Sequence, residues 1–322
     1  MRTIALALTL AGLLSTAAAA PTPPRKAGHK PPAKAAAKAP APKKTAQEIL
    51  AASPAGDWRA LDPDNTLLME LASGQVIIEL APHFAPAHVA NIRALAHGGY
   101  WDGLAILRVQ DNFVTQWGDP DGEDAAKARP LPAGVSAKLP AEFSVPLERV
   151  GRAAGFTPLP EVDGWAPRTG FAGGFPVAAN PKAGRAWLAH CYGMVGAGRG
   201  DAVDSSNGTE LYVVIGQAPR GLDLNITVVG RVIKGMELLS ALPRGTAAMG
   251  FYDKPEQRTG IQRVRLLADV PEAERPALQV LKTESRTWAQ LLDARRHRGG
   301  WFVHSAGRVE LCGASVPTRP AP

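Results

Sequence analysis

The chain has 322 residues, 45% of them hydrophobic, which is enough to bury the core of one large domain or two small ones. Its net charge is +7, but eight of its 36 Lys and Arg residues lie in positions 1–44, which contain no acidic residue. The rest carries 28 basic and 29 acidic residues and is nearly neutral. Nucleic-acid binding is therefore disfavoured. The seven histidines lack ligand spacing, so no metal site and no cofactor are predicted.

The first 44 residues have the composition of export and linker sequences. Residues 1–20 combine a basic start, a short apolar run and a stretch of alanines, which predicts a cleaved signal peptide; an uncleaved anchor is the alternative. Residues 21–44 are mainly Pro, Ala and Lys, which predicts a disordered linker, or one that contacts an acidic envelope surface. The protein is expected to be exported, with a periplasmic location, and to have no membrane span after cleavage.

The ordered part begins with clear helix and strand patterns. Thr45 to Glu48 forms a capping box, which predicts a short helix. Residues 66–71 and 75–80 each read as a strand and together predict a β-hairpin. A helical pattern starts at Pro86 and is ended by Gly98-Gly99.

The segment Ile106–Pro120 places an arginine among apolar residues within two strand patterns. Its first five residues alternate like a β-strand, and a second strand is predicted from near Phe113. Arg108, Phe113 and Gln116 can then reach one surface. A guanidinium beside an aromatic ring and an amide suits an extended peptide, because the ring takes a side chain while the polar groups bind backbone. An internal salt bridge is the alternative role for the arginine, because burying it unpaired is costly.

This segment resembles the signature of the cyclophilin-type peptidyl-prolyl cis-trans isomerases, roughly Phe-His-Arg-(Val/Ile)-x-x-x-Phe-x-x-Gln-Gly-Gly-Asp. Two later segments support the resemblance. Residues 207–236 are similar to the family's Ser-Gln-Phe-Phe-Ile, Leu-Asp and Val-Phe-Gly-x-Val-x-x-Gly-Met run. Residues 193–199 stand where bacterial members carry Gly-x-x-x-Met-Ala-Arg. The resemblance covers roughly residues 66–268, with one long interruption.

The resemblance implies a mainly β (α+β) fold, a closed antiparallel barrel capped by helices, over residues 45–269. It also implies isomerisation of the bond before proline. Arg108 matches the family's catalytic arginine, Phe113 the floor of the proline pocket, and Gln116 the glutamine that holds the substrate backbone. The residues implied to line the substrate site are Val114, Gly198, Tyr212, Leu222 and Ile226.

Three positions depart from the family pattern. Ile226 stands where many members have a histidine, and Gly221 lies near the position of an indole in cyclosporin-sensitive members. Trp117 replaces the first glycine of Gln-Gly-Gly-Asp, which predicts added bulk beside Gln116. These changes predict a reshaped site with reduced or narrowed activity. Ordinary core packing is the alternative role for the apolar site residues.

Two regions lie outside the resemblance. An insertion at about residues 123–189 is rich in Pro and Gly and is predicted to be mostly surface loop. Residues 270–322 are predicted to form a C-terminal helical extension, with one or two helices through Leu278 and Leu292 and a short strand at Trp301–Val303. The two cysteines, Cys191 and Cys312, could form a disulfide or remain buried thiols.

The sequence therefore predicts a peptidyl-prolyl cis-trans isomerase that assists the folding of exported proteins. Its expected partners are unfolded or partly folded proteins that contain proline, and a monomer is expected. The alternative from a different class is a non-catalytic proline-peptide-binding or chaperone module on the same fold. A third possibility is that the insertion and the extension dock a dedicated partner.

Overall fold

The computed structural model describes residues 44–322, so the predicted signal peptide and nearly all of the predicted linker lie outside the described residues. None of the helices in residues 44–322 has the length and apolar character that a membrane crossing requires. The α-helices are α1 Ala46–Ala51, α2 Pro86–His97, α3 Leu147–Ala154, α4 Met236–Ser240 and α5 Arg286–Arg296.

Sixteen β-strands are found in the described residues. The first eight are β1 Trp58–Ala60, β2 Thr66–Leu71, β3 Gly74–Leu80, β4 Ala105–Val109, β5 Val114–Gly118, β6 Val145–Pro146, β7 Phe156–Pro158 and β8 Arg168–Ala172. The others are β9 Phe175–Asn180, β10 Arg185–Leu188, β11 Met194–Ala197, β12 Leu211–Val214, β13 Val228–Lys234, β14 Thr259–Leu266, β15 Leu278–Leu281 and β16 Thr318–Pro320.

Eight strands form a closed antiparallel barrel in the order β11-β12-β5-β4-β14-β2-β3-β13. Alternate residues of each strand fill its interior, as Trp117 does on β5. Helix α2 packs Val89, Ile92 and Leu95 against the same core. The predicted capping box at Thr45 is also present at the start of α1. The predicted mainly β fold with a closed antiparallel barrel is confirmed.

Part of the insertion is not loop but an ordered sheet. Residues 145–188 form a five-stranded antiparallel sheet in the order β6-β10-β9-β8-β7, so the surface-loop prediction was wrong there. Strands β8 and β9 are buried along almost their whole length, which removes the polar alternation expected of a half-exposed strand. Glycine has a structural role in this sheet: a β-carbon at Gly170 would lie 2.3 Å from the carbonyl oxygen of Thr157 on the neighbouring strand.

The C-terminal segment is less helical than predicted. Leu278–Leu281 is strand β15, which pairs with β1 on one side and β16 on the other, and these two ladders override the helical propensity of leucine. Helix α5 begins after Ser285, whose hydroxyl accepts a hydrogen bond from the Trp288 backbone at 3.1 Å. Trp301–Val303 is not a strand. Among the described residues no strand pairs with it, and Val303 is fully exposed.

The inserted sheet, the C-terminal segment and the outer face of the barrel share one hydrophobic core. It contains Phe171 of the insertion, Trp288 of α5, and Val114 and Tyr212 of the barrel. The rings of Phe171 and Trp288 pack edge to face, with their centroids 5.0 Å apart. The insertion is thus packed onto the barrel beside β5 and β12.

A disulfide joins the end of the insertion to the C-terminal segment. Cys191 and Cys312 are bonded, 121 residues apart in sequence. Of the two alternatives that the sequence left open, the structure therefore shows the disulfide.

Replacing both cysteines with serine is expected to lower the free energy of unfolding by about 2–4 kcal/mol, because the cross-link restricts the unfolded chain across a long loop. Urea denaturation with and without a reductant measures this effect. The reductant should destabilise the wild type and leave the Cys191→Ser/Cys312→Ser protein unchanged. Equal stability of the reduced and oxidised wild type would contradict the prediction.

Candidate functional site

A row of paired residues crosses four neighbouring strands on the outer face of the barrel. Gly196 on β11, Tyr212 on β12, Gln116 on β5 and Arg108 on β4 are successive register partners. Side chains of directly paired residues lie on the same face of a sheet, so Arg108 and Gln116 share one surface. Glycine leaves room for the tyrosine ring, because a β-carbon at position 196 would lie 2.2 Å from the Tyr212 hydroxyl oxygen.

The Arg108 guanidinium is held in place by three acceptors. It donates from Nε to the carbonyl oxygen of Met249 at 2.6 Å and from Nη1 to Oε1 of Gln116 at 3.1 Å. The third hydrogen bond runs from Nη2 to Oε1 of Gln110. These bonds fix the plane of a half-buried cation that still reaches the surface.

Two aromatic rings flank the same guanidinium. Its central carbon lies 5.4 Å from the ring centroids of both Phe113 and Phe251. Burial lowers the pKa of Arg108, and the Glu210 carboxylate acts in the opposite direction. None of the ion pairs within residues 44–322 includes Arg108, so the structure does not support the alternative role as an internal salt-bridge partner.

Gln116 connects the arginine to a carboxylate that the sequence interpretation missed. While its Oε1 accepts from Arg108, its Nε2 donates to Oε2 of Glu210 at 2.7 Å. Burial raises the pKa of Glu210, and the carboxylates of Glu123 and Asp119 add to that effect. Glu210 stands at the glutamine of the family's Ser-Gln-Phe-Phe-Ile pattern. This replacement of glutamine by glutamate is the feature of the sequence that could have revealed the carboxylate.

Replacing Glu210 with glutamine is expected to remove part of the pH dependence of stability. Because the folded state raises this pKa above the ordinary value of 4.5, the folded protein holds a proton over a pH range where the unfolded chain has lost it. The free energy of unfolding should therefore fall as pH rises from about 4.5 through the raised pKa. Urea unfolding across this range should show a shallower fall for Glu210→Gln than for the wild type.

A matched control is Glu272→Gln, at an exposed glutamate, which should keep the slope of the wild type. Parallel curves for Glu210→Gln and the wild type would contradict the assignment of this slope to Glu210.

The apolar residues of the predicted pocket lie together, with one exception. Val114 and Tyr212 are buried in the core shared with the insertion, and Phe113 and Ile226 are half-buried against it. Leu222 is half-buried in a short 3-10 turn outside this set of residues. Its carbonyl oxygen accepts a hydrogen bond from the Ile226 backbone at 3.3 Å, which holds the turn beside Ile226.

Gly198 lies beside a neighbouring cavity of about 420 Å³. Its backbone nitrogen donates to the Glu210 carbonyl oxygen at 2.9 Å. The charged residues that line this cavity are Asp119, Glu123, Arg129, Arg199 and Glu210. Gly198 therefore lies in this polar cavity and not among the apolar residues of the predicted pocket. In residues 44–322 no cluster of His, Cys, Asp and Glu could hold a metal ion.

A buried hydrogen-bond network ties Tyr212 to the end of the insertion. The Tyr212 hydroxyl lies 2.9 Å from Nε2 of His190, and Nδ1 of the same histidine lies 2.8 Å from Asp223. Asp223 also accepts from Arg220 at 3.0 Å. Burial raises the pKa of Tyr212 above its usual range. Burial also acts to raise the pKa of Asp223, but hydrogen bonds from His190 and the charge of Arg220 hold it below its usual value.

Trp117 does not add bulk beside Gln116, which corrects the sequence-based expectation. Its side chain is 1% exposed and belongs to the core inside the barrel. Adjacent residues of a strand point to opposite faces, so Trp117 faces inward where Gln116 faces outward. The replacement of glycine at this position therefore changes the packing of the barrel interior.

The fold and this set of residues define a class of protein. Residues 66–266 match the family described as "Cyclophilin type peptidyl-prolyl cis-trans isomerase/CLD", which is 201 of the 322 residues. The chain belongs to this family. The predicted family and enzyme class, a cyclophilin-type peptidyl-prolyl cis-trans isomerase, are confirmed.

Relatives and a solved structure agree with the family match. The chain is 29% identical over 196 residues to the "Probable peptidyl-prolyl cis-trans isomerase" of Brucella suis, and 28% identical to that of Brucella abortus. Each match covers 59% of this chain and 76% of the relative. The crystal structure of cyclophilin AquaCyp293 from Hirschia baltica aligns with a TM-score of 0.65 and 24% identity, over 86% of this chain and 97% of that one. This likeness of fold extends beyond the region that the family pattern covers.

Proposed function

We propose that the protein isomerises X-Pro bonds of exported proteins during their folding, with Arg108 as the catalytic group. One observation carries the proposal: the Arg108 guanidinium faces the surface beside Phe113, hydrogen-bonded to Gln116 and without a carboxylate partner among the described residues. A cation that is oriented by neutral acceptors keeps its full charge for a bound peptide.

The chemistry requires no nucleophile or general base. The C–N bond before proline resists rotation because resonance gives it double-bond character, with a barrier of ~18–20 kcal/mol. Its cis and trans forms differ by only about 0.5–1 kcal/mol. In the half-rotated state the prolyl nitrogen becomes pyramidal and gains a lone pair. A guanidinium directed at that nitrogen, or at the preceding carbonyl, stabilises the twisted state more than either planar state and so accelerates rotation.

The hydrogen bonds of Arg108 leave donors for the substrate. Arginine carries five N–H donors, and one each on Nε, Nη1 and Nη2 is used within the protein. One N–H on each terminal nitrogen remains for the peptide. Because the other three are fixed, these two donors need little reorganisation when the charge of the twisted state develops.

The other residues of the site bind and orient the peptide in this proposal. Phe113 and Ile226, half-buried against the shared core, offer an apolar surface for the proline ring. Gln116 holds the substrate backbone through whichever of its lone pairs and N–H donors remain after Arg108 and Glu210 are bound. The clients are proposed to be exported proteins, because residues 1–20 have the composition of a signal peptide.

The test is a peptide isomerisation assay on the purified protein, together with refolding of a client whose slow phase is limited by proline. The protein should accelerate both cis-to-trans conversion of the peptide and the slow refolding phase. Acceleration of neither, with a folded protein, would reject the enzyme proposal.

The second candidate is a non-catalytic proline-peptide-binding or chaperone module, which the isoleucine at position 226 favours because it offers no polar contact to the substrate. That function predicts binding of proline peptides and suppression of client aggregation at the background rate of isomerisation. The same two assays therefore separate the candidates.

A further inference from the structure

A tryptophan from the insertion lies against the turn that carries Leu222. Trp165 is in the loop between β7 and β8 and is 57% exposed. A β-carbon at Gly221 would lie 3.9 Å from Cη2 of this indole and would meet no other atom within 4 Å. The ring is therefore in van der Waals range of position 221, and no side chain at that position covers it.

Buried charges fix the loop that presents Trp165. The Asp163 carboxylate accepts hydrogen bonds from the backbone nitrogens of Trp165 at 2.8 Å and Ala166 at 2.9 Å. The same carboxylate pairs with Arg220 at 2.9 Å, and both side chains are no more than 7% exposed. The Arg220 guanidinium lies 5.8 Å from the centroid of the Trp165 ring. The indole is thus an exposed apolar group on a rigid support.

The support of Trp165 is continuous with the wall of the site. Arg220 binds Asp223, Asp223 binds His190, and His190 contacts the hydroxyl of Tyr212. The indole and the pocket wall are consequently held by one network. A rigid aromatic surface loses little conformational entropy when it binds a ligand, which favours its use in recognition.

We propose that Trp165 binds an apolar or aromatic side chain that flanks the proline of the substrate, and so sets the sequence preference of the site. The inference rests on the proposed function, because it requires the proline to lie against Phe113 and Ile226. The Leu222 turn is hydrogen-bonded to Ile226 and lies next to Trp165 through Gly221. A peptide whose proline lies against Ile226 can therefore extend along the Leu222 turn, which brings a side chain that flanks the proline towards the indole.

The proposal is tested with Trp165→Ala and two peptide series that share one X-Pro core. One series carries Phe or Leu at the flanking positions and the other carries Gly. The KM for the apolar series should rise about three- to tenfold, the range given by one aromatic contact, with kcat unchanged. The KM for the glycine series should not change, and Trp165→Phe should restore most of the loss. Trp301→Ala, at an indole that is 88% exposed in the C-terminal segment, is the matched control and should have no effect.

Direct binding measured by calorimetry separates this proposal from the catalytic one. In one outcome the wild type binds the apolar series more tightly than Trp165→Ala does, but it does not isomerise these peptides. This result would reject the enzyme proposal and support the role of Trp165. A wild type that isomerises both series, with no change of KM in Trp165→Ala or an equal change for both series, would overturn the role of Trp165. The thermal midpoint of the variant should equal that of the wild type, because the side chain is exposed.

Discussion

Arg108→Ala is expected to reduce kcat/KM for an X-Pro peptide by about a hundred- to a thousandfold, the loss that follows removal of one preorganised donor from a developing charge. Most of the loss should fall on kcat, because the guanidinium interacts more strongly with the twisted state than with the planar substrate. The KM should change little, since Phe113 and Ile226 still bind the proline ring. The measurement is a peptide isomerisation assay over a range of substrate concentrations.

Two further variants make this result specific to the guanidinium at position 108. Arg108→Lys keeps the charge but loses the planar fork that binds Gln110, Gln116 and Met249 together, so it should recover only part of the activity. Arg263→Ala removes an exposed arginine that pairs with Glu70 on the barrel, and it should leave the rate unchanged. A folded Arg108→Ala protein with the rate of the wild type would refute the assignment.

The parts of the fold with local patterns could be predicted from sequence. The hairpin β2–β3 and helix α2 follow from side-chain periods and from glycines at their ends, and both were found at the predicted residues within a position or so. The surface shared by Arg108 and Gln116 follows from strand alternation in the same way. Their roles stay predictions until the variants are measured.

The parts that could not be predicted depend on contacts between distant residues. Gln116 and Glu210 are 94 positions apart, and Asp163 and Arg220 are 57 apart, so no local pattern reveals either pair. Strands β8 and β9 of the inserted sheet are buried on both faces and contain glycine and alanine. Such strands lack the alternation by which a strand is recognised.

These distant contacts join the insertion to the candidate site. The insertion ends at His190, which contacts the hydroxyl of Tyr212, and it contains the loop that carries Trp165. Gly196 and the barrel strands determine the position of Tyr212. The hydroxyl of Tyr212 contacts His190, at the end of the insertion. A substitution among the buried charges that join the insertion to the barrel should therefore change both the stability of the protein and the geometry of the candidate site.

Arg220→Met is expected to lower the free energy of unfolding by about 3–5 kcal/mol at neutral pH, the cost of removing one partner of a buried ion pair. Arg220 binds two carboxylates, Asp163 at 2.9 Å and Asp223 at 3.0 Å, and all three side chains are no more than 7% exposed. Without the guanidinium both carboxylates lose a buried counter-charge. Chemical denaturation of the variant and the wild type measures the difference.

The pH dependence of this difference identifies its electrostatic origin. Burial acts to raise the pKa values of Asp163 and Asp223, but Arg220 and the hydrogen bonds around them hold both below the ordinary 3.8. Their stabilising contribution is therefore complete above 3.8 and is lost as pH falls through the lowered values, so the gap between Arg220→Met and the wild type should narrow in acid. Arg152→Ala, which breaks a pair with Glu148 whose side chains are 80% and 73% exposed, should change stability little at any pH. A gap that stays constant down to the acid limit would assign the loss to packing instead of charge.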